Sequence, residues 1–245
     1  WRAGATNCHG AGTDPSEPKD EVMERIPEPE LMDGLDQARA YAEADFADVN
    51  AGFVQSFAEC FPDLPAALNI LDLGCGPGDI PIRLARAYPE ALIQAVDGAP
   101  AMIELAEQAM AGTAVAERVI LLQSTIQEMP DPATPFHAVV SNSLLHHLHD
   151  PAVLWHALPR QGAPGTAVYV MDLRRPQSAA KAAALVEEYA GDEPEQLRTD
   201  FYQSLMAAFT PAEVEWQLAA AGLDDLSVRS VSDRHLLVSG RLPAR

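Results

Sequence analysis

From residue 70 onward the chain alternates short apolar runs with amphipathic stretches. Ile70–Leu73 reads as a buried strand, and Ile80–Tyr88 has the i, i+3, i+4 spacing of a helix that Pro89 stops. Ala91–Val96 predicts a second strand, and Pro100–Met110 a helix with proline near its start. Val119–Gln123 and Ala138–Ser141 predict two more strands, followed by a helix around Val153–Ala157. Ala167–Asp172 predicts a fifth strand, fed by the Pro/Gly joint "RQGAPG", Arg160–Gly165. This rhythm implies a doubly wound, mostly parallel α/β sheet with helices on both faces.

The flanks follow other patterns. Residues 1–27 are rich in Gly, Pro, Asp and Glu, lack periodicity, and predict a disordered leader. Over 28–62 apolar positions recur at helical spacing, predicting a helical cap that Pro62 and Pro65 close. The remainder, 63–245, reads as one domain, with 177–209 as a helical insertion after the fifth strand. "TPAEVEWQLAAAGL" carries a capping-box signature, with Thr210 as N-cap and Glu213 three residues on. Leu226–Ser230 and His235–Ser239 predict a closing pair of strands, the sixth and seventh.

Charge narrows the partners. With 16 basic and 36 acidic residues the net charge is −20, which disfavours nucleic acid, since binding there rests on neutralising phosphates. No apolar run approaches the roughly 18–20 residues of a membrane helix, so no membrane association is expected. The first thirty or so residues lack the apolar core of a secretion signal. The three cysteines, Cys8, Cys60 and Cys75, form no CxxC pair. Together these features suit a reducing, cytoplasmic setting without a disulfide framework or a zinc site. Cys8-His9 reads as a bland tail rather than a metal site.

The densest chemistry lies in "NILDLGCGPGDIPIRLARAYPEALIQAVDGA", Asn69–Ala99. In an open parallel sheet, ligands bind beyond the carboxyl ends of the strands at the switch point. Asp72 ends the first strand there, and Gly74, Cys75, Gly76 and Gly78 follow, giving bare backbone for close approach. Asp97 ends the second strand, where a carboxylate can accept both hydroxyls of a ribose. A dinucleotide loop needs a third glycine three residues after Gly76. That position is Asp79, and a pyrophosphate would be repelled by the flanking acids. A ligand with an ammonium group and a ribose would not.

"LDLGCGPG" resembles motif I of the class I S-adenosylmethionine (SAM)-dependent methyltransferases. "AVDGAPAMIELA" is similar to their second motif, "PFHAVVSNSLLHHLHDP" to their fourth-strand motif, and "LPRQGAPGTAVYVMDLRRP" to the segment that feeds the fifth strand. The resemblance runs from about Asp63 to the C-terminus. It implies a seven-stranded Rossmann-like enzyme that transfers methyl from SAM, releasing S-adenosylhomocysteine (SAH). The cofactor residues it implies are Asp72, Gly74, Cys75, Gly76, Gly78, Asp97, Gly98, Met102 and Asn142. The family often places an Asp after the third strand to bond adenine; Ser124 or Thr125 stands there instead. His137 replaces the customary Asp of the fourth-strand motif.

The expected acceptor is a small molecule; the alternatives are a protein or peptide acceptor, or a non-catalytic SAM-binding module. His146 is the candidate proton acceptor, set against a packed or solvated imidazole. His147, Arg174 and Tyr202 are candidate acceptor contacts. Tyr41, with Phe46, either covers the sulfonium by cation–π attraction, worth about 0.5–2 kcal/mol, or packs in a core. Three nearby histidines raise the question of a metal, but no acid falls at a matching spacing, and none is expected. The insertion 177–209 is expected to shape the acceptor pocket. Sequence says nothing of the oligomeric state.

Overall fold

A computed structural model describes residues 23–31, 34–43 and 46–244. Seven strands form one sheet in the order β3-β2-β1-β4-β5-β7-β6. They are β1 (Asn69–Leu73), β2 (Leu92–Asp97), β3 (Val119–Gln123), β4 (Phe136–Asn142), β5 (Gly162–Leu173), β6 (Ser227–Ser230) and β7 (His235–Arg241). β1 to β5 are mutually parallel, while β7 runs antiparallel to both β5 and β6. The helices are α1 (Leu35–Glu43), α2 (Ala47–Cys60), α3 (Asp79–Ala87), α4 (Pro100–Met110), α5 (Ala152–Gln161), α6 (Ala179–Ala190), α7 (Glu195–Ala207) and α8 (Pro211–Ala220).

Both faces of the sheet are covered, which is why its central strands read as continuous apolar runs. Ile70, Ala138 and Tyr169 belong to one core, shared with Phe53 and Phe57 of α2 and Leu84 of α3. Leu71, Leu73 and Val139 belong to the other, with Trp155 of α5 and Leu218 of α8. Asp72 lies one pleat from Ile70 on the first face and is 1% exposed. β1 is flanked by β2 on one side and β4 on the other. The chain order therefore reverses at β1, and a crevice opens beyond its carboxyl end.

Element positions follow the sequence pattern closely, and the capping box of α8 forms: Glu213 N donates to Thr210 Oγ1 at 3.3 Å and Thr210 N to Glu213 Oε2 at 2.7 Å. Three readings change. The expected joint Arg160–Gly165 is not a loop: α5 runs through Gln161 and β5 begins at Gly162. Pairing decides this, since Phe136 of β4 lies opposite Gly162, with a register shift before Ala138. The cap is not helical throughout: residues 23–31 carry no helix, because Pro27 and Pro29 lack N–H groups and hold their predecessors extended.

The third change concerns the leader. Residues 1–22 lie outside the described residues, and so does the Cys8-His9 reading, but 23–27 are seated on the fold. Ile26 N donates to Met206 O at 3.1 Å. The Arg25 guanidinium donates to Ala207 O at 2.5 Å, His146 O at 2.8 Å and Leu148 O at 3.0 Å, and lies 4.0 Å from the centre of the Phe209 ring. A cation at the end of α7 satisfies carbonyls that the helix leaves unpaired. We call residues 23–31 the strap. Among the described residues, Cys75 is free and buried. No described helix is long and apolar enough to cross a membrane.

Candidate functional site

A cavity of about 650 Å³ opens beyond β1, β2 and β4, within the range of small-molecule sites. Its floor is the loop Gly74–Pro77 with the turn Asp97–Ala99. Met102 and Leu105 of α4 form one wall and Ser124–Glu128 another. Asn142, Ser143, Leu144 and His147 follow from the end of β4, and Glu30, Leu31, Tyr41 and Phe46 complete the enclosure.

The glycines do different work. Gly76 (φ +52°) has nothing within 4 Å of where a Cβ would stand, so it leaves open space at the cavity floor. A Cβ on Gly74 (φ +73°) would meet Leu144 at 2.8 Å, and one on Gly78 (φ +91°) would meet Ala106 of α4 at 3.1 Å. Gly78 thus lets α3 approach α4 and does not line the cavity. Gly98 is crowded by Leu31 of the strap, 2.8 Å from a built Cβ. Ser143 holds φ +57°, alone among described non-glycine residues; its position at the cavity rim fits the tendency of strained backbone to cluster at functional sites.

Two carboxylates meet under the loop. Asp97 accepts from Gly76 N and Ala99 N, both at 2.9 Å, and so fixes the floor. Burial raises its pKa, and its backbone hydrogen bonds oppose this only in part. Asp72 Oδ2 is buried with no hydrogen-bond partner. Burial, reinforced by the charge of Asp97, pushes the Asp72 carboxyl up to about 8. A cation entering here would relieve both groups. Burial likewise raises the Cys75 thiol, which stays neutral. Asp79, at the position of the missing glycine, accepts from Asn50 of α2 at 2.8 Å and from Arg83 at 2.6 Å, so the start of α3 already holds an anion.

On the wall after β3, the Ser124 hydroxyl donates to Thr125 O and the Thr125 hydroxyl to Glu128, both at 2.9 Å. Either oxygen keeps a lone pair for a ligand. Tyr41 and Phe46 face each other with ring centres 4.9 Å apart. Burial raises Tyr41 to about 12, so it stays a neutral phenol at ordinary pH and is no base. His137 accepts a hydrogen bond from Asn69 N at 2.9 Å, far from the cavity lining.

His146 is not at the rim. It is 2% exposed, and its Nδ1 lies 2.5 Å from Asp172 Oδ1. Its Nε2 lies 3.4 Å from Glu28 of the strap. Burial opposes protonation of His146, yet the charge and hydrogen bond of Asp172, with the charge of Glu28, outweigh it, and the pKa is raised. His147 does line the cavity, and burial together with the neighbouring His146 lowers its pKa to about 3. Its imidazole is therefore neutral.

Two expected acceptor contacts are not brought to the cavity. Arg174 donates to Asp233 O at 3.3 Å, and Tyr202 packs in the small core between α6 and α7. No residue of 177–209 lines the cavity; the insertion instead supports the strap, with Ser204 donating to Glu28 at 3.1 Å. Sequence reading did not single out Glu28, Glu30 or Leu31 as site residues. They lie at the Pro/Glu-rich start of the stretch expected to be a helical cap, where Leu31 reads as one of its apolar positions, while Asp172 stands at the end of the expected fifth strand.

Known proteins give independent bearings. A family described as "Methyltransferase domain" matches residues 70–165. Trans-aconitate 2-methyltransferase of Rhodococcus jostii is 39% identical over 46 residues, 19% of this chain and 18% of that protein. The enzyme of that name from Streptomyces coelicolor is 50% identical over 48 residues, 19% and 16% of the two chains. The chain therefore matches about a fifth or less of the length of these curated relatives. Among solved structures, a putative S-adenosyl-L-methionine-dependent methyltransferase from Methanococcus maripaludis is similar over 91% of this chain and 98% of its own, with TM-score 0.66 and 16% identity. The plantazolicin methyltransferase BpumL, solved with SAH, is similar over 84% and 90%, with TM-score 0.61 and 15% identity. These likenesses establish a shared fold. The matched methyltransferase domain begins in β1 and ends in β5, around the crevice described above.

Proposed function

We propose that this chain transfers a methyl group from SAM to a small-molecule acceptor. The observation that carries the reading is the pair of buried acids, Asp72 and Asp97, beneath the open backbone at Gly76. Such a floor suits a nucleoside with a cationic amino-acid end and rejects a diphosphate. Asp72 and the Gly74–Gly76 backbone would hold the amino-acid end, Asp97 the ribose, and Met102 with Ser124 or Thr125 the adenine. Asn142 would bond the methionine part or the acceptor. Bound SAM would supply the activated methyl.

The chain's own contribution is alignment and exclusion of water, and alignment alone supplies large rate factors. The candidates the sequence offered are not ready bases: Tyr41 is held as a phenol, His147 has its pKa lowered, and His146 stands behind it bonded to Asp172. An acceptor that brings its own ionised group or lone pair needs no base, and the carboxylates of Glu30 and Glu128 at the cavity wall are there for one that does. The volume of the cavity and the small-molecule substrate named in the curated relatives support a small acceptor. The −20 charge speaks against nucleic acid.

Titration calorimetry with SAM, SAH and NAD tests the cofactor, and incubation with labelled SAM and fractionated metabolites tests the transfer. SAM and SAH are expected to bind and NAD not to. Binding of NAD instead would overturn the reading. SAM binding without label transfer to any fraction would favour a binding module.

A further inference from the structure

Beside the crevice, among the described residues, Glu28, His146 and His147 bring one carboxylate and two imidazoles together, with all ligand atoms within 4.8 Å of one another. Glu28 Oε1 is 3.4 Å from His146 Nε2 and 3.4 Å from His147 Nδ1. That is too long for a charge-assisted hydrogen bond, which runs about 2.7–2.9 Å. It matches the edge of a tetrahedron around an ion with bonds of about 2.0–2.1 Å.

The surroundings have the form of a supported metal site. The other ring nitrogen of His146 is bonded to Asp172, the carboxylate–histidine arrangement that orients a ligating imidazole. Asp172 is itself fixed by the backbone N–H groups of His146 at 3.2 Å and Leu173 at 2.5 Å. Glu28 is aimed by Ser204, and the strap that carries it is clamped by Arg25.

We propose that Glu28, His146 and His147 bind a transition-metal ion of the zinc class, with a fourth position left for an oxygen ligand. Two imidazoles and one carboxylate suit zinc or cobalt and not magnesium or calcium, which need mostly oxygen ligands. The ion would tie the strap to the turn after β4, and so hold Glu30 and Leu31 against the cavity. The proposal does not depend on the methyl-transfer reading.

The test uses metal-free full-length protein without SAM, titrated with Co²⁺ and followed by its visible absorption and by calorimetry. One equivalent should bind with a four-coordinate Co²⁺ spectrum. Zn²⁺ should displace it, and Mg²⁺ at the same concentration should not. Glu28→Gln and His147→Ala should each weaken binding at least about tenfold, and Asp172→Asn about 10- to 100-fold. His9→Gln should leave it unchanged. Circular dichroism of the metal-free variants reports folding, and Glu28→Gln carries the test if His147→Ala is misfolded. The proposal falls if no four-coordinate spectrum appears, if Mg²⁺ competes equally, or if folded Glu28→Gln binds like the parent chain.

Discussion

The crevice floor and the His146 cluster are both buried and both acidic, yet they are assembled in opposite ways. The floor comes from one stretch, Asp72 to Ala99, in which two strand ends and two turns lie next to each other because β1 and β2 pair in register, Asp72 opposite Ala95. The cluster draws Glu28 from the strap, His146 from the turn after β4, Asp172 from β5 and Ser204 from α7. In the floor Asp97 is held by backbone N–H groups, while Asp72 Oδ2 has no hydrogen-bond partner among the described residues. In the cluster Asp172 is paired with His146 inside the protein. The floor should therefore govern cofactor affinity, and the cluster should govern stability and closure.

Separating the two by mutation sharpens this contrast, beginning with His146→Ala. It leaves Asp172 buried without its partner, a change that typically costs about 3–5 kcal/mol, read by chemical denaturation. SAM affinity of the folded fraction should stay within about threefold. The parent's advantage should also depend on pH. The folded pKa of His146 is raised above its ordinary 6.5, so its stabilisation is full below pH 6.5 and lost as pH rises through the raised value. An advantage that instead grows with pH would contradict the pairing.

Asp97→Ala should do the reverse. It removes the acceptor of Gly76 N and Ala99 N and the proposed ribose ligand, weakening SAM by about 100-fold, or ~2.7 kcal/mol, in calorimetry. A loss under threefold would remove Asp97 from the cofactor site. Asp72→Asn comes next, with about a tenfold loss of SAM affinity at pH 9. Because the Asp72 pKa rises from 3.8 to about 8 on folding, ligand-free parent protein should lose stability from about pH 4 to pH 8 relative to this variant. Identical pH profiles of the melting temperature would refute the burial argument. Arg25→Ala should have the smallest effect, about 1 kcal/mol, with faster amide exchange confined to 23–31 and their contacts. Unchanged exchange there would show that the clamp does not hold the strap.

Legibility followed the range of the interactions. Pro100–Met110 and Val119–Gln123 occupy their predicted spans, because proline at a helix start and a compact apolar strand are local signals. Gly76 and Asp97 were legible for the same reason: their chemistry depends on neighbours in the chain. Arg160–Gly165 was misread because strand pairing overrode turn composition. Arg174 and Tyr202 were placed by analogy with strand ends and insertions, and packing took both elsewhere. Glu28 was invisible, since one acid among several in a Pro/Glu-rich stretch carries no distinguishing pattern.

The sequence by itself determined the alternation of strands and helices, the bare loop after β1 and the acids on either side of it, because backbone preference and side-chain periodicity act over a few residues. Tertiary structure alone decided that His146 lies inside, that Asp172 and Glu28 flank it, and that the strap walls the cavity. Those outcomes depend on which distant surfaces bury each other, and burial is a property of the packed chain.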